Sequence, residues 1–180
     1  YEDFKIVLVN GKNTNNLEVG EIRHQEAILQ LTNIERTLID ITVRPAYAGG
    51  VFEVFEAFKR AKDQISVNTL VATLKKLEYT YPYHQAIGFY MEKAGYTEKN
   101  WSKFLKFGVE FDFYLAHNLP KTKNYDKKWR LFYPEGFKFY YLFNNKIKIK
   151  VKIFNFTDNS LFNCCPIGKV EITSFRNLPK

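Results

Sequence analysis

A chain of 180 residues, 46% of them hydrophobic, is long enough to fold as one domain without disulfides or metals. Charged residues interrupt the apolar stretches before they reach the ~20 residues of a membrane span, and the first residues do not resemble a signal peptide. We therefore expect a cytoplasmic protein with no membrane partner. The two cysteines, Cys164 and Cys165, are adjacent, which predicts free thiols rather than a disulfide or a zinc site.

The net charge is +8, from 27 lysines and arginines against 19 aspartates and glutamates. Most of the excess lies between Phe137 and Lys180, where the sequence has eight basic residues and only two acidic ones, Asp158 and Glu171. An excess of this kind favours association with an anionic partner and says nothing about the fold.

The first third of the chain starts with a strand pattern. Phe4, Ile6 and Leu8 alternate with Lys5, Val7 and Val9, and Asn10-Gly11 is a hairpin signal. The next candidate strands are Leu17 to Ile22 and Ala27 to Leu31. These segments predict a small N-terminal antiparallel sheet.

A helical period follows. Thr32-Asn33-Ile34-Glu35 matches a capping box with Thr32 as the N-cap, and Pro45 ends the helix at Arg44. We expect Ile34, Leu38 and Ile41 to face the core. We also expect Arg36 and Asp40, four residues apart, to pair on the surface.

Four more helices are predicted by their start and stop signals. They run from Val51 to Lys62, from a Ser66 cap to Leu77, from Tyr81-Pro82 to Gly95, and from Thr97 to Gly108. Together with the first helix they predict a central layer of about five short helices.

The strand period returns after Gly108. Candidate strands are Val109 to Leu115 and Trp129 to Tyr133, separated by a lysine-rich loop from Asn118 to Lys128; three more follow Phe137. The fold class is therefore α+β with antiparallel strands at the C-terminal end. We divide the chain into a domain at 1–136 and a basic, β-rich extension at 137–180 packed on the same domain.

The corner at Gly49-Gly50 has two interpretations. Glycines before a helix, with Arg44 nearby, suit an anion site because free backbone N–H groups and the helix dipole attract negative charge. The chain lacks both nucleotide-binding glycine motifs, however, and a tight turn between two helices is the favoured interpretation.

The sequence predicts no metal site and no cofactor. His24, His84 and His117 do not have metal-ligand spacing. A metal-dependent nuclease needs clustered carboxylates and a lysine, for which the candidates are Glu110, Asp112, Asp126 and Lys128. Alternation on an ordinary half-exposed strand explains Glu110 and Asp112 equally well.

A row of lysines is the sharpest electrostatic feature. Alternation on a strand puts Lys146, Lys148, Lys150 and Lys152 on one face, where they suit a phosphate backbone, with Arg176 as a further candidate contact. The other interpretation is a solvated strand whose lysines discourage edge pairing. Both remain open.

Four segments resemble the C-terminal domain of AbiEi-family antitoxins, which belong to type IV abortive-infection toxin–antitoxin systems of bacterial phage defence. They are TNIERTLID (32–40), Pro45 with Tyr47 and Gly49-Gly50, YPYHQAIGFY (81–90) with Ala94-Gly95, and YDKKWRLFYP (125–134). We take as the signature Glu35, Arg36, Asp40, Gly49, Gly50, Tyr83, His84 and Trp129.

The resemblance implies a non-enzymatic role. In that family the partner is a nucleotidyltransferase-like toxin, and the antitoxin represses its own operon through an N-terminal winged helix. This chain has no recognisable winged helix, and the segment from Phe137 to Lys180 lies outside the resemblance. We therefore expect an antitoxin and transcriptional-regulator domain that assists DNA binding, with a nucleic-acid-binding module and a restriction-type nuclease as alternatives.

Overall fold

The computed structural model describes residues 15–117 and 119–137. The predicted strand at 4–9, the lysine row, Arg176, the cysteines and the extension lie outside the described residues, except Phe137. Within them the protein is α+β: an antiparallel hairpin, five helices and a small three-stranded sheet. The predicted fold class is confirmed. No helix among the described residues is long and apolar enough to span a membrane.

The hairpin consists of β1 (Val19–His24) and β2 (Ala27–Thr32), paired from Val19 with Thr32 to His24 with Ala27. The first strand starts two residues later than predicted. Because the sheet has only two strands, most of its side chains are exposed.

The first helix, α1 (Ile34–Val43), is capped by Asn33 and not by the predicted Thr32. The Asn33 side-chain oxygen accepts the Arg36 N–H at 2.8 Å. Thr32 is held in the β2 ladder opposite Val19, so the cap moves one residue along the chain. The predicted inward face was also wrong at Ile34, which is 37% exposed.

The remaining helices match the predicted number and order. They are α2 (Val51–Ala61), α3 (Val67–Leu77), α4 (Tyr83–Lys93) and α5 (Glu98–Leu105). The Ser66 side chain caps α3 by accepting the Thr69 N–H at 3.3 Å, as predicted.

The central element is α4, in which Gln85 through Met91 are all buried. A helix covered on every side lies inside the domain rather than on its surface. It contacts α1, α2 and α5, and Phe58 of α2 stacks on Tyr90 at 5.3 Å between ring centroids. The core of the described domain is therefore built around α4.

The C-terminal sheet contains β3 (Phe113–Tyr114), β4 (Lys123–Asp126) and β5 (Leu131–Pro134) in the order β3-β5-β4. The two strands that were predicted here, β3 and β5, run parallel to each other, while β4 and β5 are antiparallel, so the sheet is mixed. The reason is that β5 turns back from β4 and enters the sheet between β4 and β3. The predicted lysine-rich loop therefore contains a strand that sequence analysis missed.

Candidate functional site

The signature pair on α1 is a packed ion pair rather than the surface pair that was predicted. Arg36 is only 5% exposed, and its Nε lies 3.0 and 2.9 Å from the two carboxylate oxygens of Asp40. Burial raises the pKa of Asp40 above its usual value, and the Arg36 charge opposes this rise. Arg36 therefore holds Asp40 in place and is not available as a free surface cation.

The signature glycines form the corner between α1 and α2. A 3₁₀ turn spans Pro45–Ala48, and Gly49 and Gly50 follow with φ of 79° and 101°, which L side chains rarely adopt. The N–H groups of both glycines donate to the Pro45 carbonyl. Because these donors are used inside the turn, the geometry favours a tight corner over an anion cradle.

Trp129 joins the C-terminal sheet to α4. Its indole is fully buried against Gly88, and its Nε1–H donates to the Glu92 carboxylate. The Gln85 amide donates to the carbonyl oxygens of Trp129 and Phe111. Two signature segments that are about forty residues apart in sequence are thus locked together by shape and hydrogen bonds.

Three of the four nuclease candidates are used in separate ion pairs, and the fourth, Glu110, is exposed. Asp126 pairs with Lys93 at 3.1 Å and caps the turn by accepting the Lys128 N–H, while the Lys128 amine reaches Glu92 at 2.7 Å.

Asp112 accepts from the Tyr125 hydroxyl at 2.8 Å and from Arg130 at 2.9 Å, and these bonds lower its pKa. Over 15–117 and 119–137, no group of three or more histidine, cysteine or carboxylate side chains suits a metal ion. The structure does not gather the candidate carboxylates and lysine into one centre.

A groove of about 290 Å³ brings the signature residues Tyr83 and His84 to the surface. We call it the tyrosine groove. Its walls come from the end of α3, the loop from Tyr79 to Pro82, the start of α4 and Phe107 beyond α5.

Three tyrosines at alternate positions form one side of the tyrosine groove. The rings of Tyr79 and Tyr83 meet edge to face at 5.0 Å, Tyr81 lies 6.2 Å from Tyr83, and Tyr81 is 66% exposed. Burial raises the pKa of Tyr79 to about 12, and the nearby Asp40 charge adds to the rise. These tyrosines offer ring surface and hydroxyl groups to a ligand.

His84 forms the floor of the groove as a neutral imidazole. Its Nε2 lies 2.6 Å from the Gly108 carbonyl oxygen, and its ring stacks on Phe107 at 5.3 Å. Since a carbonyl only accepts, Nε2 carries the proton and Nδ1 keeps a lone pair. Burial lowers the pKa of His84, while the bond to Gly108 opposes the change.

Basic side chains flank the tyrosine groove. Arg44 is exposed and close enough for its charge to lower the pKa values of Tyr79 and Tyr83 against the effect of their burial. Lys75 lines the groove, with its amine 5.5 Å from the centre of the Phe107 ring.

A second groove of about 310 Å³ shares Lys75 and Phe107 with the first and adds Lys103 and Lys106. We call it the lysine groove. Sequence analysis predicted Arg44 as a nucleic-acid contact but missed the lysines. The available signals were the tyrosine alternation from Tyr79 to Tyr83 and the helical spacing of Lys99, Lys103 and Lys106.

Comparisons of this chain with models of protein families, with curated proteins and with solved structures found no match. Inferences about its activity therefore rest on the sequence resemblance and on the site geometry.

Proposed function

We propose that this chain is a non-enzymatic, cytoplasmic antitoxin domain that counteracts a nucleotidyltransferase-like toxin and assists DNA binding in regulating its operon. The proposal comes from the resemblance of four segments to AbiEi-family antitoxins.

The supporting observation is that these segments pack on one another. The Arg36–Asp40 pair on α1 lies beside Tyr79, which contacts Tyr83 at the start of α4, and α4 in turn holds Trp129. A connected set of contacts of this kind is expected when the signature residues of a family maintain the shape of its domain. The ion pairs that occupy Asp112 and Asp126 also disfavour the nuclease alternative.

Bacterial growth tests the antitoxin role. The nucleotidyltransferase-like gene adjacent to this one is expressed from an inducible promoter, with and without the 180-residue chain. We expect the chain to restore growth. Two matched exposed substitutions then probe the signature corner: Tyr47→Ser, 52% exposed within the four segments, and Ile28→Ser, 68% exposed on the hairpin outside those segments. Loss of rescue with Tyr47→Ser alone would assign the corner to neutralisation.

Toxicity that persists while the chain is folded and abundant would refute the antitoxin proposal for this chain. A toxin variant that does not arrest growth serves as the control for the burden of expressing two proteins. The second candidate, a nucleic-acid-binding module, is favoured by the flanking cations of the tyrosine groove.

A further inference from the structure

We propose that the tyrosine groove and the lysine groove together bind a short single-stranded segment of RNA or DNA. A base stacks among the tyrosines, and phosphates are held by Lys75, Lys103 and Lys106. The inference deepens the nucleic-acid-binding candidate, and it does not depend on the antitoxin role.

The rings supply the first argument. Single-stranded nucleic acid is bound by aromatic side chains that stack with unpaired bases and by cations that follow the backbone. Tyr81 is 66% exposed beside the partly covered ring of Tyr83, so a base has an accessible aromatic surface in a concave setting. His84 adds an acceptor at Nδ1, which has no hydrogen-bond partner within 15–117 and 119–137.

The charges supply the second argument. Arg44 lies near Tyr83, Lys75 lines both grooves, and Lys103 and Lys106 line the lysine groove. The nearby acidic groups include Glu78, which lines the tyrosine groove, and Asp40, whose charge is opposed by Arg36. Glu110 is a third, since its carboxylate would lie 3.7 Å from a Cβ added at Gly108, whose carbonyl binds His84. The positive excess suits phosphates. Because the grooves share Lys75 and Phe107, a strand longer than one nucleotide can pass from one to the other.

A second aromatic surface suits the same ligand less well. Tyr114, Phe132 and Tyr125 form a row across the C-terminal sheet, since both tyrosines pair with Phe132. Tyr114 and Phe132 stack at 4.7 Å and 22°, which covers one face of each ring, and the Lys123 amine lies over both rings, so less ring surface is left for a base than at Tyr81. Tyr114 is therefore a matched control for Tyr81.

Fluorescence anisotropy tests the proposal with the full chain. The probes are fluorescein-labelled ten-nucleotide oligo(U) and oligo(dT), and a ten-base-pair DNA duplex. Tyr81→Ala is compared with Tyr114→Ala, which removes a 47% exposed ring from the sheet. Lys106→Ala is compared with Lys121→Ala, an exposed lysine in the loop before β4. The two oligonucleotides show whether the site prefers RNA or DNA.

We expect Tyr81→Ala to weaken single-strand binding by about 5- to 150-fold, the range for loss of one stacked base. Tyr114→Ala should change affinity less than twofold. Lys106→Ala should reduce the slope of log affinity against log salt by about 0.7, the value for one single-strand phosphate contact. Replacing Lys146, Lys148, Lys150 and Lys152 by glutamine removes the lysine row and should leave the effect of Tyr81→Ala unchanged.

The proposal would be overturned by no binding of either oligonucleotide at 50 mM salt, by equal affinities for Tyr81→Ala and Tyr114→Ala, or by duplex binding as tight as single-strand binding. Displacement of the oligonucleotide by poly-glutamate at equal charge concentration would instead indicate a surface for an acidic protein, and would also overturn it. Growth rescue is scored separately, so either proposal can fail alone.

Discussion

Gly88→Ala tests how α4 and the C-terminal sheet are joined. A Cβ added at Gly88 would overlap Cη2 and Cζ3 of the Trp129 indole and lie 2.8 Å from its Cζ2. The ring cannot move aside easily, because it is fully buried and its Nε1–H donates to Glu92. The backbone of Trp129 is also held, by Gln85 and Asp126.

Two effects of opposite sign determine the free energy of unfolding. Alanine is better than glycine in a helix interior by about 1 kcal/mol. Overpacking a well-filled core costs typically ~1–3 kcal/mol, and overlap with two ring atoms of a fixed side chain places Gly88→Ala near the upper end. We expect a net loss of about 2 kcal/mol, or roughly 4–8 °C in Tm for a chain of this size.

Urea unfolding followed by circular dichroism and tryptophan fluorescence measures the change. Gly20→Ala is the control, because nothing lies within 4 Å of its added Cβ, and it should stay within about 0.5 kcal/mol of the parent. Trp129→Phe removes the overlapping part of the indole, so Gly88→Ala should cost less in that background, with a coupling of roughly 1–3 kcal/mol. Stabilisation by Gly88→Ala in the parent would refute the proposed packing.

Two further predictions concern the α1 cap and the groove histidine. Asn33→Ala should lower the free energy of unfolding by about 1 kcal/mol, while Asn33→Ser keeps the acceptor and should lose much less; equal losses in urea unfolding would argue against the cap. Burial lowers the pKa of His84 in the folded protein. As the pH falls below about 6.5, the ordinary pKa of histidine, the unfolded chain therefore takes up the proton before the folded protein does, and the free energy of unfolding decreases. Urea unfolding at pH 7.5 and 5.5 should therefore show a larger loss for the parent than for His84→Gln, and a larger loss for His84→Gln would reverse the assigned direction.

Local signals in the sequence were sufficient for the helical layer. The cap at Ser66, the stop at Pro45 and the glycine after α4 act through groups within a few residues of each other, so their meaning does not depend on the rest of the fold. The change of hydrophobic period near Thr32 and Gly108 likewise predicted where strands give way to helices and return.

Contacts between distant segments decided what local signals missed. The capping box at Thr32 was plausible by itself, but the hairpin ladder occupied Thr32 and moved the cap to Asn33. The strand β4 was hidden in a polar, lysine-rich segment because an edge strand with one exposed face lacks a strong apolar pattern. Neither result follows from composition or spacing.

The same distinction applies to the candidate site. From the sequence by itself, Tyr83 and His84 were candidates through the family resemblance, and Arg44 was a candidate nucleic-acid contact through its charge. Only the tertiary structure brought Tyr83 and His84 beside Phe107 and the lysines, because the walls come from three helices and the loops that follow them. The helical period in the sequence predicts which face of a helix is apolar. Which other helix packs against that face is decided by the tertiary structure, and this packing forms the groove.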